Sequence, residues 1–144
     1  MKITVIGTGY VGLVSGVCYA ELGNEVVCVD KDAGKIGMLL EGKIPIYEPG
    51  LKELADKNRS EGRLSFTTVL DDAIRGSDIV ILAVGTPPMP SGEANLSYIN
   101  QAAVEIAEAM NGYKVIAIKS TVPVGTNERV AELIRSHRSQ PFDS

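Results

Sequence analysis

The chain has 144 residues, 44% of them hydrophobic and 22% charged, a balance that suits one globular domain with a sizeable core rather than a disordered segment. Its formal net charge is −4, from 14 basic and 18 acidic residues without a basic stripe, so we expect a small-molecule partner, no nucleic acid and no membrane surface. No apolar run has the length of a transmembrane helix or a signal peptide's hydrophobic region, so we expect a cytoplasmic protein.

Short, continuous, β-branched runs alternate with helical patterns along the chain. The runs predict strands buried on both faces at residues 3–6, 26–29, 64–67, 79–84 and 115–118. The predicted helices span residues 11–22, 33–40, 51–58, 69–75, 97–110 and 127–135. This alternation predicts an α/β fold, a doubly wound parallel sheet with flanking helices, right-handed crossovers and strand order 3-2-1-4-5. The ligand crevice then lies at the carboxyl ends of strands 1 and 4.

Residues 7–12, with the sequence GTGYVG, directly follow the first predicted strand and open the first predicted helix. In such a loop Gly7 permits a tight turn, Gly9 lets the backbone approach a pyrophosphate, and Gly12 allows the helix to pack closely on the strand. The phosphates then lie at the helix N-terminus, where free N–H groups and the helix dipole favour an anion. With the acidic residue Asp30 at the end of the second strand, the pattern is a Rossmann-type dinucleotide-binding fingerprint.

Asp30 bears on which dinucleotide this fingerprint binds. A carboxylate at that place accepts hydrogen bonds from a ribose diol and repels a 2′-phosphate, which favours NAD over NADP. Lys31 and Lys35 complicate this choice, because either can offset the charge of Asp30 or hold phosphate oxygens, and both can equally be solvated surface residues. Gly16 extends the glycine pattern to one that flavoproteins share, so FAD competes on the glycines alone.

Two further loops follow strands 4 and 5 and converge on the same edge of the sheet. In residues 85–92 (GTPPMPSG), Gly85 frees the backbone and the prolines stiffen the path. In residues 119–125 (KSTVPVG), Ser120 and Thr121 offer hydroxyl groups, and Thr121 can position a water or a ribose. Turn chemistry alone explains each loop in isolation, but beside the fingerprint a role in cofactor binding is favoured.

Other side chains are interpreted as structural. Cys18 and Cys28 fall in the first helix and the second strand without a metal-ligand pattern, so we expect two reduced core residues and no metal site. His137, the single histidine, is expected at a solvated helix end rather than at a catalytic position. Thr126 is the predicted N-cap of the last helix.

An extra segment, residues 42–50 (GKIPIYEPG), separates two predicted helices and is too long for a minimal crossover. Its two prolines fix an extended path. Tyr47 and Glu48 on that path can face a ligand or a partner, but a structural elbow between the helices is the favoured interpretation.

Together these motifs resemble the UDP-glucose/GDP-mannose dehydrogenase family, and the resemblance covers the whole chain. It is carried by the segments IGTGYVGL (6–13), VD (29–30), KI (35–36), IYEPGL (46–51), VGTPP (84–88), NLSY (95–98) and KSTVPVG (119–125). The resemblance implies that residues 1–144 are the N-terminal NAD-binding domain of a longer oxidoreductase, with the central and C-terminal sugar-nucleotide-binding domains beyond residue 144.

The resemblance also implies roles for individual residues. The backbone of Tyr10 and Val11 contacts NAD, and Asp30 binds the adenosine ribose with Lys35 nearby. Thr121 lies near the nicotinamide and is the candidate catalytic residue, because it helps to position water. The complete expected cofactor-binding set is Gly7, Gly9, Tyr10, Val11, Gly12, Asp30, Lys35, Gly85, Thr86, Pro87, Ser120 and Thr121.

Members of this family oxidise a sugar C6 alcohol to a carboxylate with two NAD+, through a thioester on a cysteine for which this chain has no counterpart. The chain alone is therefore expected to bind NAD without turning over a sugar nucleotide. The GTPP and NLSY segments favour UDP-glucose, oxidised to UDP-glucuronate. GDP-mannose, UDP-N-acetylmannosamine and a non-catalytic NAD-sensing module are the alternatives. An exposed fifth strand predicts self-association, as a homodimer or a larger oligomer.

Overall fold

The computed structural model describes residues 1–138, which form a five-stranded sheet in the order β3-β2-β1-β4-β5, with every neighbouring pair parallel. In chain order the elements are β1 Lys2–Ile6, α1 Tyr10–Glu21, β2 Glu25–Val29, α2 Ala33–Leu40, α3 Leu51–Ser60, β3 Leu64–Thr67, α4 Leu70–Gly76, β4 Ile79–Leu82, α5 Ser97–Ala109, β5 Val115–Ile118 and α6 Thr126–His137. The predicted fold class and strand order are confirmed.

The two faces of the sheet carry separate hydrophobic clusters, because successive strand side chains point to opposite faces. On one face, Val5 and Cys28 pack with residues of α1, α2 and α3. On the other face, Ile6 and Leu82 pack with residues of α4, α5 and α6. Helices therefore cover both faces, and the carboxyl-terminal edge of the sheet is left to the loops.

The outer strand β5 departs from the prediction of strands buried on both faces. Its residues alternate between exposed and half-buried, and Val115 is 45% exposed. The reason is position: among the strands of residues 1–138, β5 pairs only with β4 and forms one edge of the sheet. The strand β4 also ends earlier than predicted, at Leu82, because its ladder partners Ile6 and Ile118 are the last residues of β1 and β5.

The start of α6 also differs from the prediction. Gly125, in the left-handed region with φ +94°, is the N-cap, and Thr126 is the first helical residue. The Thr126 hydroxyl instead donates a 2.7 Å hydrogen bond to the carbonyl of Pro123. Because Thr126 is already a helical residue and Gly125 occupies the N-cap position, the predicted cap at Thr126 is wrong.

One of the two predicted core cysteines is buried and the other is not. Cys28 on β2 is fully buried, and burial raises the pKa of its thiol to about 12. Cys18 on α1 is exposed, so the prediction that it is a core residue is wrong. Its neighbour Val17 is fully buried, and successive helical residues lie about 100° apart around the axis, which turns Cys18 to the outer side of α1.

Candidate functional site

A cleft of about 860 Å³ opens at the carboxyl ends of the strands, between the loops that follow β1, β2, β4 and β5. All the residues predicted to bind a cofactor line it except Gly12 and Pro87. Side chains from α5 complete its wall: Tyr98, Gln101, Ala102 and Glu105. The loops predicted to converge therefore do so.

The three fingerprint glycines are required for different reasons. Gly7 has φ +106°, and a Cβ there would lie 2.5 Å from the carbonyl oxygen of Ala83. At Gly12 a Cβ would lie 1.9 Å from the carbonyl oxygen of Gly7, so Gly12 serves the packing of α1 rather than the cleft lining. A Cβ at Gly9 would meet no protein atom within 4 Å. The chain's own packing thus does not demand glycine at position 9, and the open space lies beside the cleft.

The N-terminus of α1 points a set of backbone donors towards this space. The helix begins at Tyr10 after the extended N-cap Gly9, and no side chain of residues 1–138 caps it. Its first turn has no acidic residue, and the earliest regular bond is from Leu13 N–H to the Gly9 carbonyl at 2.9 Å. The preceding N–H groups of the first turn and the helix dipole make this end a binding place for an anion such as a pyrophosphate.

Three hydrogen bonds hold the carboxylate of Asp30 in the lining of the cleft. Its Oδ2 accepts hydrogen bonds from Thr8 N–H at 2.9 Å and from Thr8 Oγ1 at 2.7 Å, and its Oδ1 accepts one from Asp32 N–H at 2.9 Å. Partial burial acts to raise the pKa of the Asp30 carboxyl. These bonds, together with the charge of Lys35, outweigh burial and lower the pKa below its ordinary value. Asp30 is therefore an acceptor whose Oδ1 has room for a further hydroxyl donor.

Thr8 is a residue of the candidate site that the sequence interpretation missed. Its side chain is 1% exposed and joins the glycine loop to the end of β2 through Asp30. The available signal was a small hydroxyl residue at the variable place between the first two glycines, next to an acidic residue at the end of β2.

The two lysines beside Asp30 have different surroundings. The ammonium of Lys31 pairs with the carboxylate of Glu105 on α5, and Gln101 Nε2 lies 3.4 Å from the same oxygen. Lys35 acts on Asp30 through its charge, and its side chain lines the cleft. The sequence left their roles open, and the structure shows that only Lys31 is engaged across the cleft.

Hydroxyl groups connect the loops after β4 and β5. Thr86 Oγ1 donates to the carbonyl of Thr121 at 2.9 Å, and Ser120 Oγ donates to the carbonyl of Val84 at 2.7 Å. The Thr121 side chain is exposed in the cleft wall. Pro87 lies outside the cleft lining, where its carbonyl accepts from Asn95 N–H at 2.8 Å and fixes the loop before α5.

The extra segment 42–50 reaches the mouth of the cleft. Ile44 and Ile46 pack against the core, which fits the predicted elbow, and Tyr47 is 90% exposed. The hydroxyl of Tyr10 donates a hydrogen bond to the carboxylate of Glu48. This bond, and then the negative charge of Glu48, raise the pKa of the Tyr10 phenol.

Residues 1–138 contain no group of three or more His, Cys, Asp or Glu side chains able to hold a metal ion. His137 is exposed at the end of α6, with Nδ1 2.9 Å from the carbonyl of Leu133. None of the helices between residues 1 and 138 is long and apolar enough to cross a membrane.

An uncapped helix N-terminus beside an open glycine, with a hydrogen-bonded carboxylate at the end of β2 in the same cleft, defines a Rossmann-type dinucleotide-binding domain. Gly16 does not require FAD, because a Cβ there would lie 2.5 Å from Cys28 Sγ and close packing of α1 on β2 explains the glycine. The family model for the NAD binding domain of the UDP-glucose/GDP-mannose dehydrogenase family matches residues 1–143, and the chain belongs to that family. The cofactor indicated is NAD.

Individual relatives and solved structures give the same family assignment. UDP-glucose 6-dehydrogenase TuaD of Bacillus subtilis is 58% identical over 134 residues, which cover 93% of this chain and 29% of the relative. The structure of a ternary complex of GDP-mannose dehydrogenase from Pseudomonas aeruginosa superposes with a TM-score of 0.92 at 38% identity, covering 97% of this chain and 33% of that one. The structure of a UDP-glucose dehydrogenase from Pyrobaculum islandicum superposes with a TM-score of 0.89 at 39% identity, and the match covers 94% of this chain and 32% of that one. The chain thus spans about a third of the length of these relatives.

Proposed function

We propose that this chain is the NAD-binding domain of a UDP-glucose 6-dehydrogenase, the enzyme that oxidises UDP-glucose to UDP-glucuronate with two NAD+. The observation that carries the cofactor half of this proposal is the pair of anchors in one cleft, the N-terminus of α1 beside Gly9 and the oriented carboxylate of Asp30. The substrate half is supported by the 58% identity to the Bacillus subtilis enzyme.

The proposed roles follow the geometry of the cleft. The N–H groups at the start of α1, at Tyr10 and Val11, hold the pyrophosphate, and Gly9 leaves room for it. Asp30 Oδ1 accepts from the adenosine ribose, with Lys35 beside it. Bound NAD supplies the acceptor for the hydride of the substrate.

The loops after β4 and β5 form the wall at the nicotinamide end. Gly85 and Thr86 line this wall, Pro87 fixes the loop behind it, and the Ser120 hydroxyl holds the two loops together. Thr121 presents an exposed side chain there and is the residue that we propose positions the catalytic water.

We further propose that this chain does not turn over UDP-glucose alone. The thioester step needs a cysteine at the site, and neither cysteine lines the cleft: Cys28 is buried in the core with a raised pKa, and Cys18 lies on the outer side of α1. The thioester cysteine and most sugar contacts are assigned to the two-thirds of the relatives' length that this chain does not span. Both cysteines are free thiols, which suits a reducing compartment such as the cytoplasm.

Calorimetric titration with NAD+, NADP+ and FAD tests the proposal. We expect saturable binding of NAD+ alone, weakened about tenfold or more in Asp30→Ala, because a ribose contact to a charged acceptor is lost. Asp72→Ala is the matched control, since Asp72 is an exposed carboxylate on α4 outside the cleft lining. Reduction of NAD+ by UDP-glucose with this chain alone, or equal binding of FAD, would contradict the proposal.

GDP-mannose is the second candidate substrate. Its support is the TM-score of 0.92 with a GDP-mannose dehydrogenase, against an identity of 38% that is well below the 58% of the UDP-glucose relative. Assaying the full-length enzyme with both sugar nucleotides separates the two candidates.

A further inference from the structure

An ion pair crosses the cleft beside Asp30. Lys31 follows Asp30 directly at the end of β2, and Glu105 lies on α5, 74 positions further along the chain. Both side chains line the cleft, and Gln101 approaches the same Glu105 oxygen from one turn earlier on α5. The pair therefore lies at the end of the cleft where Asp30 faces the adenosine ribose.

This location matters for the 2′-phosphate that distinguishes NADP from NAD. A cation close to the acidic residue at the end of β2 is the group that accommodates such a phosphate in dinucleotide-binding folds. Lys31 is adjacent to Asp30, its side chain is 62% exposed, and its flexible stem would let the ammonium turn towards a phosphate. Glu105 holds that ammonium on α5 instead.

Glu105 is also a carboxylate of the cleft lining in its own right. Its side chain is only 28% exposed, so its carboxylate lies within the cleft wall. The other nearby cation, Lys35, already acts on the Asp30 carboxylate. A 2′-phosphate in this cleft would thus meet the carboxylates of Asp30 and Glu105, while the ammonium of Lys31 is held by Glu105.

We infer that Glu105 is a cofactor-specificity residue, which disfavours NADP+ by engaging Lys31 and by placing a second carboxylate in the cleft that Asp30 lines. The inference rests on the proposed binding of NAD in this cleft. It assigns the selectivity to a residue on α5 as well as to the acidic residue at the end of β2.

The test is the ratio of the dissociation constants of NADP+ and NAD+, measured by calorimetry at low ionic strength up to millimolar dinucleotide. In Glu105→Gln the shape of the side chain is kept and the charge is removed. We expect the ratio to fall about three- to tenfold through tighter NADP+ binding, the size of one partly exposed charge contact. Adding Lys31→Met to Glu105→Gln should abolish this gain.

Glu108→Gln is the matched control, because Glu108 is an exposed residue of the same helix outside the cleft lining. An unchanged ratio in Glu108→Gln supports the assignment of selectivity to Glu105. An equal fall of the ratio in both variants would mean that only the net charge of the chain matters, and would overturn the inference. An unchanged ratio in Glu105→Gln, with NAD+ still bound, overturns this inference alone. Failure of the unmodified chain to bind NAD+ overturns the proposed function and this inference together. Circular dichroism melting of each variant confirms that its fold is retained.

Discussion

Thr8 donates two hydrogen bonds to one oxygen of Asp30, from its backbone N–H at 2.9 Å and from its hydroxyl at 2.7 Å. The residue between the first two fingerprint glycines thus sets the direction of the carboxylate at the end of β2. The phosphate-binding loop and the proposed ribose acceptor are therefore one connected unit rather than two independent contacts.

We predict that Thr8→Val weakens NAD+ binding about tenfold and lowers the free energy of unfolding by about 1–2 kcal/mol, because one hydrogen bond to a charged group is lost without a change in shape. Calorimetry and urea denaturation measure the two effects. Thr126→Val is the control: Thr126 is 4% exposed and its hydroxyl makes a 2.7 Å bond to Pro123. It should lose stability while keeping its NAD+ affinity, and a similar loss of affinity in both variants would contradict the role of Thr8.

The lowered pKa of Asp30 predicts a pH dependence of stability. A carboxyl whose pKa is lower in the folded chain than its ordinary value of 3.8 stabilises the fold above that value. The stabilisation disappears as the pH falls from 3.8 through the lowered folded pKa. Urea denaturation at pH values from neutral into this window should therefore show a steeper loss for the unmodified chain than for Asp30→Asn. Parallel curves for the two proteins would show that the Asp30 pKa is the same in both states.

Substitution of two glycines distinguishes a position that leaves space for the ligand from one that is required for packing within the protein. We predict that Gly9→Ala leaves stability within about 0.5 kcal/mol, since its φ is −71° and a Cβ meets no protein atom within 4 Å, but weakens NAD+ binding strongly. Gly12→Ala should cost about 3 kcal/mol, because its Cβ would lie 1.9 Å from the carbonyl of Gly7. Thermal melting and calorimetry distinguish the two. A destabilised Gly9→Ala with unchanged affinity would oppose the proposed pyrophosphate position.

The exposed edge of β5 predicts self-association. No strand within residues 1–138 pairs with its outer side, Val115 is 45% exposed, and a groove of about 320 Å³ containing Met110 and Ile134 lies alongside. Sedimentation velocity should show a concentration-dependent rise in mass for the unmodified chain, and Val115→Lys should remove it. Val69→Lys, at another exposed valine, is the control and should not. A monodisperse monomer of the unmodified chain at high concentration excludes the prediction.

Most of the fold could be predicted because its signals are local. Buried parallel strands are continuous β-branched runs, and β3 and α2 begin and end where the pattern placed them. The two errors in the strands arose where the outcome depends on neighbours distant in sequence. The exposure of β5 follows from its edge position, and the shorter β4 follows from the lengths of β1 and β5.

The same distinction applies to the site. The glycine loop and Asp30 form a motif of fixed spacing and were identified from it. The contacts of Lys31 with Glu105 and of Tyr10 with Glu48 join positions 74 and 38 residues apart, and no spacing rule relates such charges. Thr8 occupies a place where the motif accepts any residue, so only the geometry shows what it does.

Because the two cysteines differ in exposure, the chain has a single cysteine that a labelling reagent can reach. Cys28 is fully buried with a thiol pKa of about 12 and is shielded from alkylating reagents, whereas Cys18 is exposed on α1. A maleimide dye applied to the unmodified chain therefore attaches at one site outside the lining of the cleft. Dinucleotide binding can be followed with such a reporter without first removing a native residue.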